Sequence, residues 1–181
     1  VGSEMCIRDR STIVILGLGL GDARAETRLL RYPDIHNDTL VFCYGGDIYT
    51  AATDGSHVQQ ITDFPGEEKF PKFSPDGRQI AFSAEFEGNE DVYTMPVGGG
   101  EPKRLTFHAA QDLVVDWHPD GTRVLFRSNR SSSSYRFRRL FEVEVGGGLP
   151  RVLQIPQAEH AAYNESGDKV AFCPTSTETI A

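Results

Sequence analysis

The sequence predicts an all-β fold: a partial β-propeller of about three and a half four-stranded blades. Three observations point to it. A closing phenylalanine recurs at Phe42, Phe82, Phe126 and Phe172, at intervals of 40, 44 and 46 residues, the spacing expected of propeller blades. Short apolar runs are interrupted throughout by turn residues, with 18 glycines and 10 prolines spread along 181 residues. No stretch of residues 33–181 sustains a helical period. A sandwich shares the short strands and the turns, but it gives no reason for several registers to repeat together.

The chain divides in order. Residues 1–10 (VGSEMCIRDR) share no pattern with the rest of the chain. They resemble a decapeptide found at the ends of genes called from metagenomic assemblies, where adaptor sequence has been translated, so Cys6 is set aside. Residues 11–25 combine a short apolar run, Ile13 to Leu20, with the small-residue pattern Ala23-Arg24-Ala25. The run is too short to span a bilayer, and with that site behind it the segment reads as a signal-peptide remnant, which predicts export to the periplasm or the medium. Residues 26–181 are the incomplete propeller, with blades near 30–64, 70–107, 113–155 and 159–181. The fourth repeat stops after its second strand, so the chain reads as a fragment.

Blade 2 carries the pattern most cleanly. Phe73-Ser74-Pro75-Asp76-Gly77 precedes the run Gln79 to Ala84, and blade 3 repeats it as Trp117-His118-Pro119-Asp120-Gly121. Blade 4 gives Tyr163-Asn164-Glu165-Ser166-Gly167, and blade 1 keeps the frame with a turn two residues shorter. Pro75 and Pro119 fix φ at the second turn position, Asp76 and Asp120 tolerate the third, and Gly77, Gly121 and Gly167 take the positive φ that reverses the chain. In blade 2 this predicts strands near 70–74, 79–84, 91–97 and 101–107. A second register aligns Asp47-Ile48-Tyr49-Thr50 with Asp91-Val92-Tyr93-Thr94 and, more loosely, Leu140-Phe141-Glu142-Val143. A third aligns Gln59-Gln60-Ile61-Thr62, Lys103-Arg104-Leu105-Thr106 and Arg151-Val152-Leu153-Gln154.

Charge and motif content narrow the function. With 18 Lys and Arg against 26 Asp and Glu, the net charge is −8, which argues against a nucleic-acid partner. The five histidines have no metal-ligand spacing, no serine stands in Gly-x-Ser-x-Gly, and no cofactor motif is present. No catalytic, cofactor or metal residue is therefore assigned. His36 and His118 read as turn residues. Cys43 and Cys173 follow the closing phenylalanines of blades 1 and 4, too far apart around a ring to pair, and read as buried small hydrophobes. The loop of residues 127–139 gathers five arginines with two aromatics. Arg130, Arg136, Arg138 and Arg139 are candidates for peptide or anion contact, set against the simpler reading of a solvated hairpin whose arginines lie over apolar surface.

The first-blade phrase Leu30-Arg31-Tyr32-Pro33-Asp34-Ile35-His36-Asn37-Asp38-Thr39-Leu40-Val41-Phe42-Cys43-Tyr44-Gly45-Gly46-Asp47-Ile48-Tyr49-Thr50 resembles the opening blade of tricorn-type proteases. Phe70 to Gly77, Gly100 to Thr106 and Phe126-Arg127-Ser128-Asn129-Arg130 are similar to that family too. The resemblance implies a six-bladed ring at the start of a large exported serine peptidase, whose nucleophile, base and oxyanion donors lie downstream. It implies that this propeller is a passage for peptides, with peptides or unfolded segments as partners alongside the remaining blades and catalytic domains of its own chain; self-association stays open. In some members a basic loop after the second blade anchors a peptide carboxylate, whereas here that loop, Phe107 to Asp112, has no arginine. The Ser-Pro-Asp-Gly repeat is shared with the periplasmic Tol-system propeller and with propellers fused to prolyl oligopeptidases. A protein-binding propeller of Tol type, or a propeller joined to another hydrolase such as a prolyl oligopeptidase or amidohydrolase, are the alternatives.

Overall fold

The computed structural model describes residues 30–131 and 137–174. The decapeptide, the signal-like segment and Arg136 lie outside the described residues. Fourteen strands, with no helix among the described residues, form four separate antiparallel sheets. Blade 1 runs β1 (Arg31–His36), β2 (Thr39–Tyr44), β3 (Asp47–Ala52) and β4 (Gln59–Gln60). Blade 2 runs β5 (Glu68–Phe73), β6 (Gln79–Ala84), β7 (Asp91–Pro96) and β8 (Lys103–Arg104). Blade 3 runs β9 (Asp112–Trp117), β10 (Arg123–Ser128), β11 (Arg139–Glu144) and β12 (Arg151–Val152). Blade 4 is the pair β13 (Ala158–Tyr163) and β14 (Val170–Pro174). Spatial order follows chain order in every sheet, so each connection is a hairpin. The fourth strands are shorter than expected: in blade 2 only Lys103 and Arg104 pair, opposite Thr94 and Tyr93.

Turn chemistry explains the hairpins. Gly77, Gly121 and Gly167 have φ of +69°, +71° and +73°, and each donates its N–H to the carbonyl three residues back, Ser74, His118 and Asn164. Asp76 accepts from the Ser74 hydroxyl and the Arg78 N–H, and Asp120 does the same for the Thr122 N–H and hydroxyl. In blade 1 His36 pairs directly with Thr39, and Asn37 takes the left-handed conformation at φ 50°, a role asparagine fills at low cost.

Blades 2 and 3 bury both faces of their central strands. Cross-strand partners Phe42 and Tyr49, Phe82 and Tyr93, and Phe126 and Phe141 stack with ring centroids 5.6–5.9 Å apart. The alternate residues face the next blade. Val41, Cys43 and Ile48 meet Ile80, Phe82 and Met95; Ala81, Val92 and Leu105 meet Val124, Phe126 and Phe141; Leu125 and Leu140 meet Ala158, Tyr163 and Phe172. A large aromatic from one blade thus fills the space left by smaller side chains of its predecessor.

The blades are also tied by polar groups. The first residue of β5, β9 and β13 donates its N–H to the residue just before the third strand of the preceding blade: Glu68 to Gly46, Asp112 to Glu90, Ala158 to Arg138. The third sequence register supplies a second tie. Thr62 Oγ1 accepts from Ile48 N and donates to Glu68 Oε2 of blade 2. Thr106 Oγ1 accepts from Val92 N, bonds Asp91 within its own blade and hydrogen-bonds Asp112 of blade 3, opposing the rise that burial gives the pKa of that carboxyl. Gln154 and Ala158 stand at the corresponding positions of the third junction, which is apolar instead.

Two expectations need correction. Cys43 is buried but Cys173 is exposed, and both are free thiols; Cys173 lies on β14, which pairs only with β13 among the described residues. His36 and His118 are more than turn residues. Their rings lie where a Cβ on Gly77 and on Gly167 of the following blade would stand, 2.5 Å from His36 Nε2 and 2.7 Å from His118 Nε2.

Candidate functional site

The first strands of successive blades contact one another, while the two-residue fourth strands sit at the outer edge of each of the three four-stranded sheets. Side chains of β1, β5, β9 and β13 are therefore the ones a central passage would meet. Each of these strands contains an extra residue that breaks its register: between Arg31 and Asp34, between Lys69 and Lys72, opposite Leu125 and Phe126, and between Ala158 and His160. At two of these bulges an aromatic residue adopts positive φ, Tyr32 at 52° and Phe70 at 55°. Both precede a proline, Pro33 and Pro71. A proline inside a strand cannot donate to the ladder and belongs at a bulge, and its ring disfavours the right-handed helical region for the residue before it. That aromatic–proline signal is legible in the sequence, although the repeat pattern does not single out Tyr32 or Phe70.

Tyr32, Phe70 and Glu159, at the bulges of β1, β5 and β13, meet around Arg127 of β10, giving a ladder with one residue from each blade. The Tyr32 and Phe70 rings lie 4.2 Å apart between centroids. The guanidinium of Arg127 stands 4.9 Å from the centre of the Phe70 ring, donates to the Glu159 carbonyl at 2.6 Å, and holds its Nε 3.6 Å from the Glu159 carboxylate. Arg138 joins the same carboxylate at 3.2 Å. Burial is the largest influence on Arg127 and pulls its pKa down, with Arg138 adding to the effect and Glu159 opposing it. Two guanidiniums share one carboxylate, so the Arg127 side chain, 10% exposed, is held between an aromatic face and an ion pair. Left-handed aromatics cost on the order of 1–3 kcal/mol each and persist where the surroundings over-determine them; this ladder is that surrounding.

Further along the same strands, Lys72 Nζ binds Asp34 at 2.9 Å, Asp34 also accepts from the Phe73 N–H, and the Trp117 indole donates to the Lys72 carbonyl. Asp116 completes this polar collar. Burial lifts its pKa, against the Trp117 N–H and the charge of Lys72.

The arginines singled out in the sequence do not form one free patch. Arg130 is bound to Asp112 and lies 5.1 Å from the centres of the Phe126 and Phe141 rings. Arg138 is held by Glu159 and Gln111, and Arg139 reaches the Leu153 carbonyl at 3.5 Å. Arg127 is the one the ladder uses. The turn residues Pro75, Asp76, Gly77, Pro119, Asp120, Gly121 and Gly167 lie at the ends of the first hairpins. Burial works against the Asp120 carboxylate, yet hydrogen bonds from Arg123 and Thr122 outweigh it and hold the pKa well below the usual range.

No hydrolytic site is assembled among the described residues. Ser56 Oγ lies 2.7 Å from His57 Nδ1 in an exposed turn, but the nearby carboxylate of Asp54 binds Ser56 rather than orienting the imidazole, the reverse of a working triad. Among the described residues no group of three His, Cys, Asp or Glu side chains is placed to hold a metal.

Solved structures with the same fold include a protein described as TolB from Agrobacterium tumefaciens, at 21% identity and TM-score 0.67, matching 80% of this chain and 53% of that one. TolB from Acinetobacter baumannii is 19% identical at TM-score 0.67 over 81% of this chain and 38% of its own. The tricorn protease is 24% identical at TM-score 0.67 over 77% of this chain and 14% of its own. The chain thus spans about half or less of each of these proteins. No curated protein sequence matches it. The family model of the tricorn protease N-terminal beta propeller domain matches residues 27–180. With four blade sheets joined by repeated junctions and a family match over nearly its whole length, the chain belongs to the tricorn protease N-terminal β-propeller domain family.

Proposed function

We propose that this chain is the N-terminal propeller segment of an exported tricorn-like serine protease, a substrate or product passage and scaffold with no catalysis of its own. The observation that carries the reading is the family match over residues 27–180. The inner strands give it physical content. Aromatic faces and a Lys–Asp collar lie along the strands that a passing peptide would meet, with the buried Arg127 reaching them from β10, and the arginine and lysine are already paired, so they offer moderate contacts that a peptide can leave. Export rests on the apolar run and Ala23-Arg24-Ala25.

The test is the whole protein encoded by the extended reading frame, assayed on peptides of graded length. The expected result is cleavage abolished by a serine-directed inhibitor, with Arg127→Ala changing the length profile of the products while leaving turnover of a tripeptide intact. A second reading, a protein-binding propeller of Tol type, draws support from the equal TM-scores of the TolB structures and the tricorn protease. A reading frame with no peptidase core, whose product is inert toward peptides but binds a protein partner, would favour that second reading.

A further inference from the structure

Blades 1 and 2 border a cavity of about 290 Å³ that includes Tyr32, Cys43, Tyr44, Glu68 and Lys69 in its wall. Its size suits one side chain or a small amine rather than a folded ligand. Glu68 is 1% exposed. Its Oε2 accepts from Thr62, but Oε1 is buried with no hydrogen-bond donor. A buried carboxylate oxygen left unmet is costly, and the deficit calls for a donor, best a charged one.

The surrounding groups select the sign of that donor. The Lys69 ammonium borders the same cavity but is committed to Glu90 at 2.9 Å and Glu67 at 3.1 Å. Asp47 and Asp63 both add negative potential at Glu68. The Cys43 thiol is pushed up to about 12, by burial first and then by Glu68 and Asp47, so it stays neutral. Arg31 also borders the cavity but is exposed to solvent. Tyr32 and Tyr44 supply aromatic surface of the kind that attracts a cation.

We propose that this cavity binds a primary ammonium group, carried by a lysine side chain or a peptide N-terminus, with Glu68 as its counter-ion. The site borrows Tyr32 from the axial ladder but does not depend on any role of the propeller in proteolysis. The group that must be ionised to bind is Glu68; Thr62, Cys43, Asp47, Asp63, Glu67, Lys69 and Arg31 are the polar and titratable groups around it.

The experiment titrates the full chain with n-butylammonium, followed by amide chemical shifts at Gly45, Gly46 and Glu68. The carboxyl of Glu68 titrates at about 7, while the amine stays charged from pH 6 to 8. The ionised fraction therefore rises about tenfold across that range, and the apparent affinity with it. Glu68→Gln lowers the affinity at pH 8 at least tenfold and flattens the pH profile. Nα-acetyl-lysine methylamide and Gly-Gly-amide then distinguish a side-chain ammonium from a chain terminus. The proposal is overturned if 1-butanol shifts the same amides as strongly as n-butylammonium, if the wild-type affinity does not change between pH 6 and 8, or if Glu68→Gln binds as well as wild type. The wild-type pH profile decides even if the variant does not fold.

Discussion

Three glycines in equivalent hairpins allow the cost of a backbone conformation to be separated from the cost of a contact between blades. Gly77, Gly121 and Gly167 share φ near +70°, so replacing any of them by alanine costs about 1–2 kcal/mol for the left-handed conformation alone. Their surroundings differ. A Cβ on Gly121 meets nothing nearer than Pro75 Cδ at 3.9 Å, whereas on Gly77 it stands 2.5 Å from His36 Nε2 and on Gly167 it stands 2.7 Å from His118 Nε2. Overlap of that kind adds about 1–3 kcal/mol where the neighbour cannot yield. His118 is held by Arg123 at 2.8 Å, by Asp120 at 2.9 Å and against the Tyr163 ring, so it yields least. The His36 ring is steadied by the Phe73 ring at 5.8 Å, a looser hold that lets it swing away. The expected order of destabilisation is Gly167→Ala, then Gly77→Ala, then Gly121→Ala, spanning about 1 to 5 kcal/mol. In thermal melts each kcal/mol moves Tm by about 2–4 °C at this chain length. The double variant Gly77→Ala with His36→Ala recovers the contact part and keeps the backbone part. Equal losses at Gly121 and Gly167, or no recovery in the double variant, would refute the inter-blade contact as the cause.

Four further outcomes are expected of the same structure. Glu68 titrates at about 7 in the fold against an ordinary value of 4.5, so folding favours its protonated form; that stabilisation is full below 4.5 and is lost as pH rises through 7. Glu68→Gln is therefore expected to be more stable than wild type at pH 8, on the order of 2 kcal/mol, and similar at pH 5, read from melts at both pH values. Cys173 is expected to react with a thiol reagent in the native chain while Cys43 is spared until denaturant is added, as peptide mapping of the labelled protein will show. Replacing Arg127 by Met removes the Glu159 tie and leaves the Phe70 face without its cation, for an expected loss of about 1–3 kcal/mol in chemical denaturation. The purified chain is expected to leave peptide substrates intact; cleavage sensitive to a serine-directed inhibitor would contradict the absence of a carboxylate-oriented serine–histidine pair among the described residues.

What the sequence determined by itself was the part of the fold governed by neighbours along the chain. The turn glycines, the two-residue hairpin of blade 1 and the second register, which brings Tyr49 opposite Phe42 and Tyr93 opposite Phe82, obey φ preferences and the two-residue period of a strand. These act within a hairpin and need no knowledge of the next blade. The third register carried the junction threonines Thr62 and Thr106 without revealing their task, because their partners on the third strand and in the next blade lie too far away for local pattern to connect them. Tertiary structure decided everything set by the rotation from one blade to the next. Arg127 meets Phe70 and Glu159, His118 meets Gly167, and Glu68 is left short of a hydrogen-bond donor through the packing of one blade on the next, while the bulges of the inner strands re-aim Tyr32, Phe70 and Glu159 toward other blades. A side chain's orientation at a bulge departs from strand alternation, and its neighbour is set by the angle between sheets, so neither can be counted off along the chain. Cys43 and Cys173 occupy the same repeat position yet differ in exposure for the same reason: burial there belongs to the packing of whole sheets and not to the residue.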